Sequence, residues 1–306
     1  EVACNDGTLL SLFETHGMRC TGIEPTTTTA QAAQQLGLDV LELFLTVDSA
    51  DKLVAGGLVA DLLVANNVLA HVPDVVGFAQ GCRRLLDSGG VASFEFQYLP
   101  ELVSQGAFDT VYHEHFSYFS FLAVEGVFES AGLTVFDVEY LSTHGGSLRV
   151  YAQRTDGPQR PTNDSVDWIR ADESKLGIGS ASFYVGFQER ADKIAWDLLE
   201  FLLEARRHGK KVVGYGAAAK GNTLLNFAGV RSNLLSYVVD NNPMKQGRYL
   251  PGSRIPVVAE QQIIEDQPEY ILVLPWNIRD EIAGRLESIG GWSGSVVTAV
   301  PELRIG

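Results

Sequence analysis

The stretch Glu1-Val2-Ala3-Cys4-Asn5-Asp6-Gly7-Thr8 decides the reading of the first half of the chain. It reads as the tip of a strand, a glycine turn and the start of a helix. Gly7 permits a sharp turn and a close approach of backbone to ligand. The helix start offers N–H groups and the positive end of a dipole. Leu9, Leu10, Leu12 and Phe13 then recur at helical spacing over residues 8–16. Seventeen residues after Gly7, Glu24 ends the next strand, 20–24. An acid there can accept two hydrogen bonds from a ribose diol. Ala3, Asn5, Asp6, Gly7, Thr8 and Glu24 are thus candidate cofactor contacts.

Working outward, residues 29–36 look helical, and 61–65 (DLLVA) form a continuous apolar run, as a buried parallel strand should. Residues 75–86 predict a helix, which Gly89-Gly90 breaks before a strand over 91–98. This alternation predicts an α/β fold with a doubly wound parallel sheet. The third strand ends in Asn66-Asn67, with His71 one helical turn later, at the carboxyl edge where open α/β sheets bind ligands. A helix cap or turn would equally explain the two asparagines, and a surface or satisfied structural role would explain the histidine.

Residues 99–132 contain the aromatic and histidine-rich stretch FDTVYHEHFSYFS, expected to be a loop over the sheet's carboxyl edge, followed by a helix at 122–131. Runs at 134–141 and 147–154, joined by Thr143-His144-Gly145-Gly146, suit an antiparallel pair closing a first domain of residues 1–154. Residues 155–164 (TDGPQRPTND) look like a linker, and a long helical stretch then runs to about residue 208, so that 155–209 reads as linker and helices. Its second part sets Ala191, Ile194, Leu198, Phe201, Leu202 and Ala205 on one face.

A second Rossmann-like domain, 210–306, is expected next. Strands are predicted at 212–215, 235–240, 270–274 and 295–300, with helices at 220–227 and 279–289. VVGYGAAAKGNT carries Gly214, Gly216, Lys220 and Gly221, and Asp240 follows Gly216 by 24 residues. Read alone, this suggests a dinucleotide turn, although the spacing is not GxGxxG.

The 306 residues carry a formal net charge of −15, which argues against a nucleic-acid or anionic-membrane partner. No apolar run reaches the roughly 18 residues of a membrane span. Three cysteines, none in a CxxC pair, argue against a disulfide framework and suit a reducing cytoplasm. The strand at Glu1 begins abruptly, so the sequence is expected to be a fragment or to be processed at its N-terminus.

NDGTLL, GIEP, NNVLAHVPD, YHEHFSYFS, HGGSLRVYA, GYGAAAKGNTLLNFAGV and DNNPMKQGRYLPGSRIPV follow one another in order along nearly the whole chain. Together they resemble the sugar C-methyltransferases of deoxysugar biosynthesis. The resemblance implies a class I methyltransferase Rossmann-like domain followed by a second Rossmann-like domain. It implies S-adenosylmethionine as cofactor and a dTDP-linked 4-keto deoxysugar as small-molecule substrate. The family usually has an N-terminal zinc-binding domain with paired CxxC motifs, so zinc is expected only if such a domain exists beyond this chain. It also usually has glycine where Ala3 stands.

Methylating a carbon beside a ketone requires loss of that carbon's proton, to give an enolate that attacks the sulfonium methyl. Imidazole titrates near neutral pH and suits the base, and a Tyr hydroxyl can donate to the enolate oxygen. Carried over by the resemblance, His115 is the base, Tyr112 the enolate or substrate donor, Glu114 an orienting carboxylate and His71 a second acid or base. These roles can be permuted among His115, Glu114 and His71, and His113 is read as structural. Adjacent residues of an extended segment point to opposite faces, so His113, Glu114 and His115 are not expected to bind a metal. Asn66 and Asn67 join the cofactor set. Gly216, Lys220, Asn222, Thr223 and Asp240 are candidate contacts for the diphosphate or nucleoside of the substrate, with Lys245, Arg248 and Asn277 beyond them. The alternatives are an NAD-dependent oxidoreductase, or a non-catalytic relative that binds sugar nucleotide or S-adenosylmethionine.

Overall fold

The computed structural model describes residues 1–306, apart from the side chain of His144. The chain forms two compact units. The first comprises Glu1–Leu99 and Glu114–Phe183; the second comprises Pro100–His113 and Tyr184–Gly306. Elements are numbered along the chain.

The first unit contains α1 (Thr8–Thr15), β1 (Gly22–Ile23), α2 (Thr27–Gln35), β2 (Val40–Leu41), α3 (Val47–Ala55), β3 (Ala60–Asn66), α4 (Val75–Leu85) and β4 (Leu86–Gln97). After α5 (Leu99–Ser104), whose residues from Pro100 onward belong to the second unit, it resumes with α6 (Phe121–Ala131), β5 (Leu133–Leu141), β6 (Ser147–Arg154) and α7 (Asp164–Leu176). The extended residues at the chain start lie between two sheets. Val2 bridges Ile23 in parallel, and its N–H donates to Val64 O at 2.8 Å. The spatial order is therefore β2, β1, the Val2 segment, β3, β4, β6, β5, with β6 antiparallel to both neighbours. The core lies on both sides of β4, whose Phe94 and Phe96 are buried with Phe121, Phe128, Leu148 and Val150.

Local chemistry explains the helix limits. Asp74 accepts from Gly77 N at 2.9 Å and starts α4. Ser120 caps α6, and the buried Glu173 of α7 also accepts from Phe121 N and Leu122 N, placing a negative charge at that helix start.

The second unit contains most of α5, then α8 (Phe187–Arg207), β7 (Val212–Tyr215), α9 (Ala219–Phe227), β8 (Val238–Val239), β9 (Val257–Val258), α10 (Gln261–Asp266), β10 (Tyr270–Val273), α11 (Arg279–Ile289), β11 (Ser295–Thr298) and β12 (Arg304–Ile305). Its sheet runs β9, β8, β7, β10, β11, β12, parallel except for β12. Strand order reverses between β7 and β10, which is where a doubly wound sheet opens a crevice. The expected α/β class, a methyltransferase-type Rossmann-like unit and then a second Rossmann-like unit, is the fold observed.

Several local expectations are corrected. The helical stretch up to residue 208 is two helices, because Gly177 at φ 73° ends α7 and Gly186 at φ 82° opens α8. The strand expected over 235–240 is only Val238–Val239. The glycine pair at 89–90 does not delay the strand: β4 begins at Leu86, with its register against β3 shifted near Ala60. Residues 100–113 are not merely a loop but include α5 and a 3-10 turn, Phe108–Thr110. The compact units place α7 with the first unit and α8 with the second.

Candidate functional site

In the first unit the turn after the Val2 segment is held in an unusual backbone. Ala3 has φ 58°, Asn5 φ 51° and, at the end of β3, Asn67 φ 53°. Left-handed non-glycine residues cluster where structure is fixed for function rather than for cheap folding. Gly7, at φ 79°, is required sterically too: a Cβ there would lie 2.2 Å from Leu38 Cδ1. The Asn5 amide donates to Glu24 Oε2 at 3.0 Å, and Thr26 N and Thr29 Oγ1 donate to Oε1. Glu24 is thus buried and oriented at the end of β1. Asp6 accepts from the amide and the hydroxyl of Thr8.

Asn66 Oδ1 is buried with no hydrogen-bond partner among the described residues, and Asn67 N donates to Glu95 O at 2.7 Å. Glu95 is itself buried and accepts from Arg149 at 2.9 Å and Thr143 at 2.8 Å. An oriented carboxylate and an orphaned acceptor beside the start of α1 fit a nucleoside-bearing cofactor at this edge.

Ala3 gives a direct test. Its left-handed backbone costs an L-alanine about 1–2 kcal/mol, offset in part by the greater unfolded-state freedom of glycine. Ala3→Gly is expected to raise unfolding stability by about 0.5–1 kcal/mol. A lower urea midpoint would show that the methyl group is used in packing.

His71 ends a 3-10 turn, Leu69–His71. The His115 ring meets it edge-on, with centroids 4.8 Å apart, and Tyr118 lies 5.9 Å beyond. Phe116 N bonds to Ala70 O at 2.7 Å, and Leu99 N to Phe119 O at 2.9 Å, so backbone bonds fix this segment beside the ends of β3 and β4. Of the motif, Glu114 and His115 belong to the first unit, and Tyr112 and His113 to the second. A cavity of 440 Å³ opens instead at the amino ends of β1 and β3, lined by Leu10, Phe13, Met18, Leu63 and Leu85 among others, and by none of the candidate residues.

In the second unit Gly216, at φ 87°, and Gly221 press the turn after β7 against the end of β10. A Cβ on Gly216 would lie 2.6 Å from Pro275 Cδ, and one on Gly221 2.5 Å from Leu274 Cβ. Lys220 Nζ donates to Asn277 Oδ1 at 2.7 Å and sits 5.1 Å over the Trp276 ring. Asn222 Oδ1 is buried without a partner among the described residues, and Thr223 bonds back to Ala219 O. Asp240 closes the turn on itself: it accepts from Ala217 N at 2.8 Å, Asn242 N at 2.9 Å and Lys245 Nζ at 3.2 Å. Asp240 thus carries three donors, as Glu24 does in the first unit. Arg248 is exposed on the loop beyond. Among the described residues no group of three acids, cysteines or histidines could hold a metal, and no helix is long and apolar enough to cross a membrane.

Two residues escaped the motif reading, Asp109 and Trp276. Asp109 is fully buried, and its Oδ2 accepts from Trp276 Nε1 at 2.9 Å. Burial pushes its pKa up to about 6, against the opposing pull of Lys220. The unfolded chain binds this proton only below about pH 4, whereas the folded chain holds it to about pH 6. The folded state therefore binds more protons in that window, and stability falls as pH rises through it, then levels off, a change of roughly 3 kcal/mol at most. Urea unfolding at pH 4.5 and 7 should show a larger fall in the wild type than in Asp109→Asn, where the part due to Glu1, whose carboxyl burial raises to about 7, remains. An equal fall in both would assign it to other groups.

The family model for the C-methyltransferase C-terminal domain matches residues 142–301, and a methyltransferase domain model matches 1–138. The chain is 33% identical to the C-methyltransferase NovU of Streptomyces niveus, over 100% of this chain and 72% of that one. Solved methyltransferases from Mesorhizobium loti and Anabaena variabilis are remote: 14% and 13% identical, covering 50% of this chain and 88% and 75% of theirs, with TM-scores of 0.40 and 0.42. The chain belongs to the C-methyltransferase family. By family it is an S-adenosylmethionine-dependent methyltransferase that forms a bond to carbon.

Proposed function

We propose that the protein methylates a carbon beside the ketone of a dTDP-linked 4-keto deoxysugar. The observation that carries this reading is the His71–His115 pair at the carboxyl edge of the first sheet. One imidazole can take a proton while its neighbour adjusts the hydrogen bonding around it. S-adenosylmethionine, when bound, supplies an activated methyl on a sulfonium, so the chain's own tasks are positioning, proton removal and exclusion of water.

Ala3, Asn5, Asp6, Gly7, Thr8, Glu24, Asn66 and Asn67 hold the cofactor in this reading. His115 removes the proton on carbon, Tyr112 donates to the enolate oxygen, and Glu114 orients the sugar. In the second unit Lys220, with Gly216, Asn222 and Thr223, receives the nucleotide. Asp240 and Lys245 support that turn from beneath, with Arg248 outside it. The support is the placement of Lys220 beside the strand reversal, where its charge and the start of α9 meet.

Incubation with S-adenosylmethionine and a panel of dTDP-4-keto-6-deoxysugars is expected to add one methyl to the sugar of at least one of them, seen by mass. Binding of the cofactor with no binding of any nucleotide sugar would defeat the substrate assignment.

A further inference from the structure

The second unit buries a carboxylate to which the chemistry above gives no task. Asp109 sits in the 3-10 turn Phe108–Thr110 and is fully buried. Its Oδ1 has no hydrogen-bond partner among the described residues, while Oδ2 takes the Trp276 indole N–H. A half-satisfied buried carboxylate is costly, and packing alone would be served better by an amide or an apolar side chain. The indole that Asp109 grips carries the Lys220 ammonium over its face, and Asn277 accepts from the same ammonium. Phe108 stacks on Phe227 at 4.7 Å, which fixes the turn bearing Asp109 to α9, the helix bearing Lys220.

We propose that Asp109 is the positioning residue for Lys220: it holds the Trp276 indole by its N–H and, across the ring, keeps the half-buried ammonium charged and in place for an anionic group. The proposal rests on reading this turn as the diphosphate subsite. Accepting the N–H bond enriches the ring in electron density, which strengthens its attraction for a cation. Burial pulls the Lys220 pKa down, and the charge of Asp109 opposes that fall. The other charged groups at this turn are Asp240 and Lys245, which are paired with each other.

The test measures affinity for thymidine diphosphate by calorimetry at pH 6.5 and pH 9, with the full chain. Asp109→Asn keeps the shape and an acceptor for Trp276 but removes the charge. The ratio of wild-type to Asp109→Asn affinity cancels the ligand's own titration. It is expected to lie within about threefold of unity at pH 6.5 and to widen at least tenfold by pH 9, because the unsupported ammonium loses its proton earlier. Lys220→Gln should bind weakly at both pH values. S-adenosylmethionine affinity, measured on the same samples, should be unchanged in both variants. A ratio that does not change with pH, with Lys220→Gln still weak, overturns the role of Asp109 alone. Wild-type affinity in Lys220→Gln overturns the diphosphate reading together with it.

Discussion

Replacing His115 by Asn is expected to lower the methylation rate about a thousandfold, within the range a positioned general base contributes. Asparagine keeps the size and some of the polarity of imidazole but has no group that titrates near pH 7. The substitution should leave S-adenosylmethionine affinity within about twofold, because the residues assigned to the cofactor lie on the Val2 turn, β1 and β3 rather than on the segment holding His115. His71, 4.8 Å away, gives the internal comparison. If His71→Asn abolishes turnover and His115→Asn only slows it by a small factor, the two histidines exchange roles. Equal, modest losses in both would move the base to Glu114.

Replacing Phe94 by Ala is expected to destabilise the first unit by about 3–5 kcal/mol. Phe94 is fully buried on β4, between β3 and β6 in the sheet, opposite Ala65 on one side and Val150 on the other. Its ring lies 4.6 Å from that of Phe128 on α6. Small residues such as Ala65 and Ala92 cannot expand to fill the space, so a cavity persists and its cost adds to the lost transfer energy. A loss of that size is a large part of a domain's total stability. Urea unfolding followed separately by far-ultraviolet dichroism and by S-adenosylmethionine binding should show both midpoints falling together. A change below about 1 kcal/mol would mean that the sheet repacks around the deletion.

The parts of the fold that were legible are those where one residue pattern has one structural solution. The apolar run 61–65 became β3 because a strand flanked by two others must be apolar, although Leu62 is 44% exposed near its start. The face of Ala191, Ile194, Leu198, Phe201, Leu202 and Ala205 was readable because helical spacing persists over about four turns, and all of these residues are buried in α8 except Phe201, which is half-buried. By contrast β2 and β9 are two residues long and carry no period to detect. Helix α3 went unread although Thr46 and Ser49 form a reciprocal cap, because an N3 serine is a weaker signal than an N3 acid.

The candidate site divides in the same way. The strand–turn–helix edge that carries Gly7 and Glu24 was legible from its pattern, whereas Asn66 and Asn67 read equally well as a turn. The left-handed backbone of Ala3 was not legible, since alanine gives no hint of positive φ. Asp109 was hidden for the opposite reason: an acid among aromatics reads as surface, and only the packed turn shows that it is buried against Trp276. The bonds of Asp240 to its own turn could be found only from coordinates, because an acid at a strand end serves a ribose or its own turn equally well in sequence.

The most direct test of the central claim is hydrogen exchange at carbon. The protein is incubated with a dTDP-4-keto-6-deoxysugar in deuterated water, without and then with S-adenosylmethionine, and the sugar's mass is followed. Deuterium should enter beside the ketone before any methyl is added, and His115→Asn should abolish that uptake. Neither deuterium uptake nor methyl gain in any of several such sugars would contradict an enolate-forming methyltransferase of this substrate class.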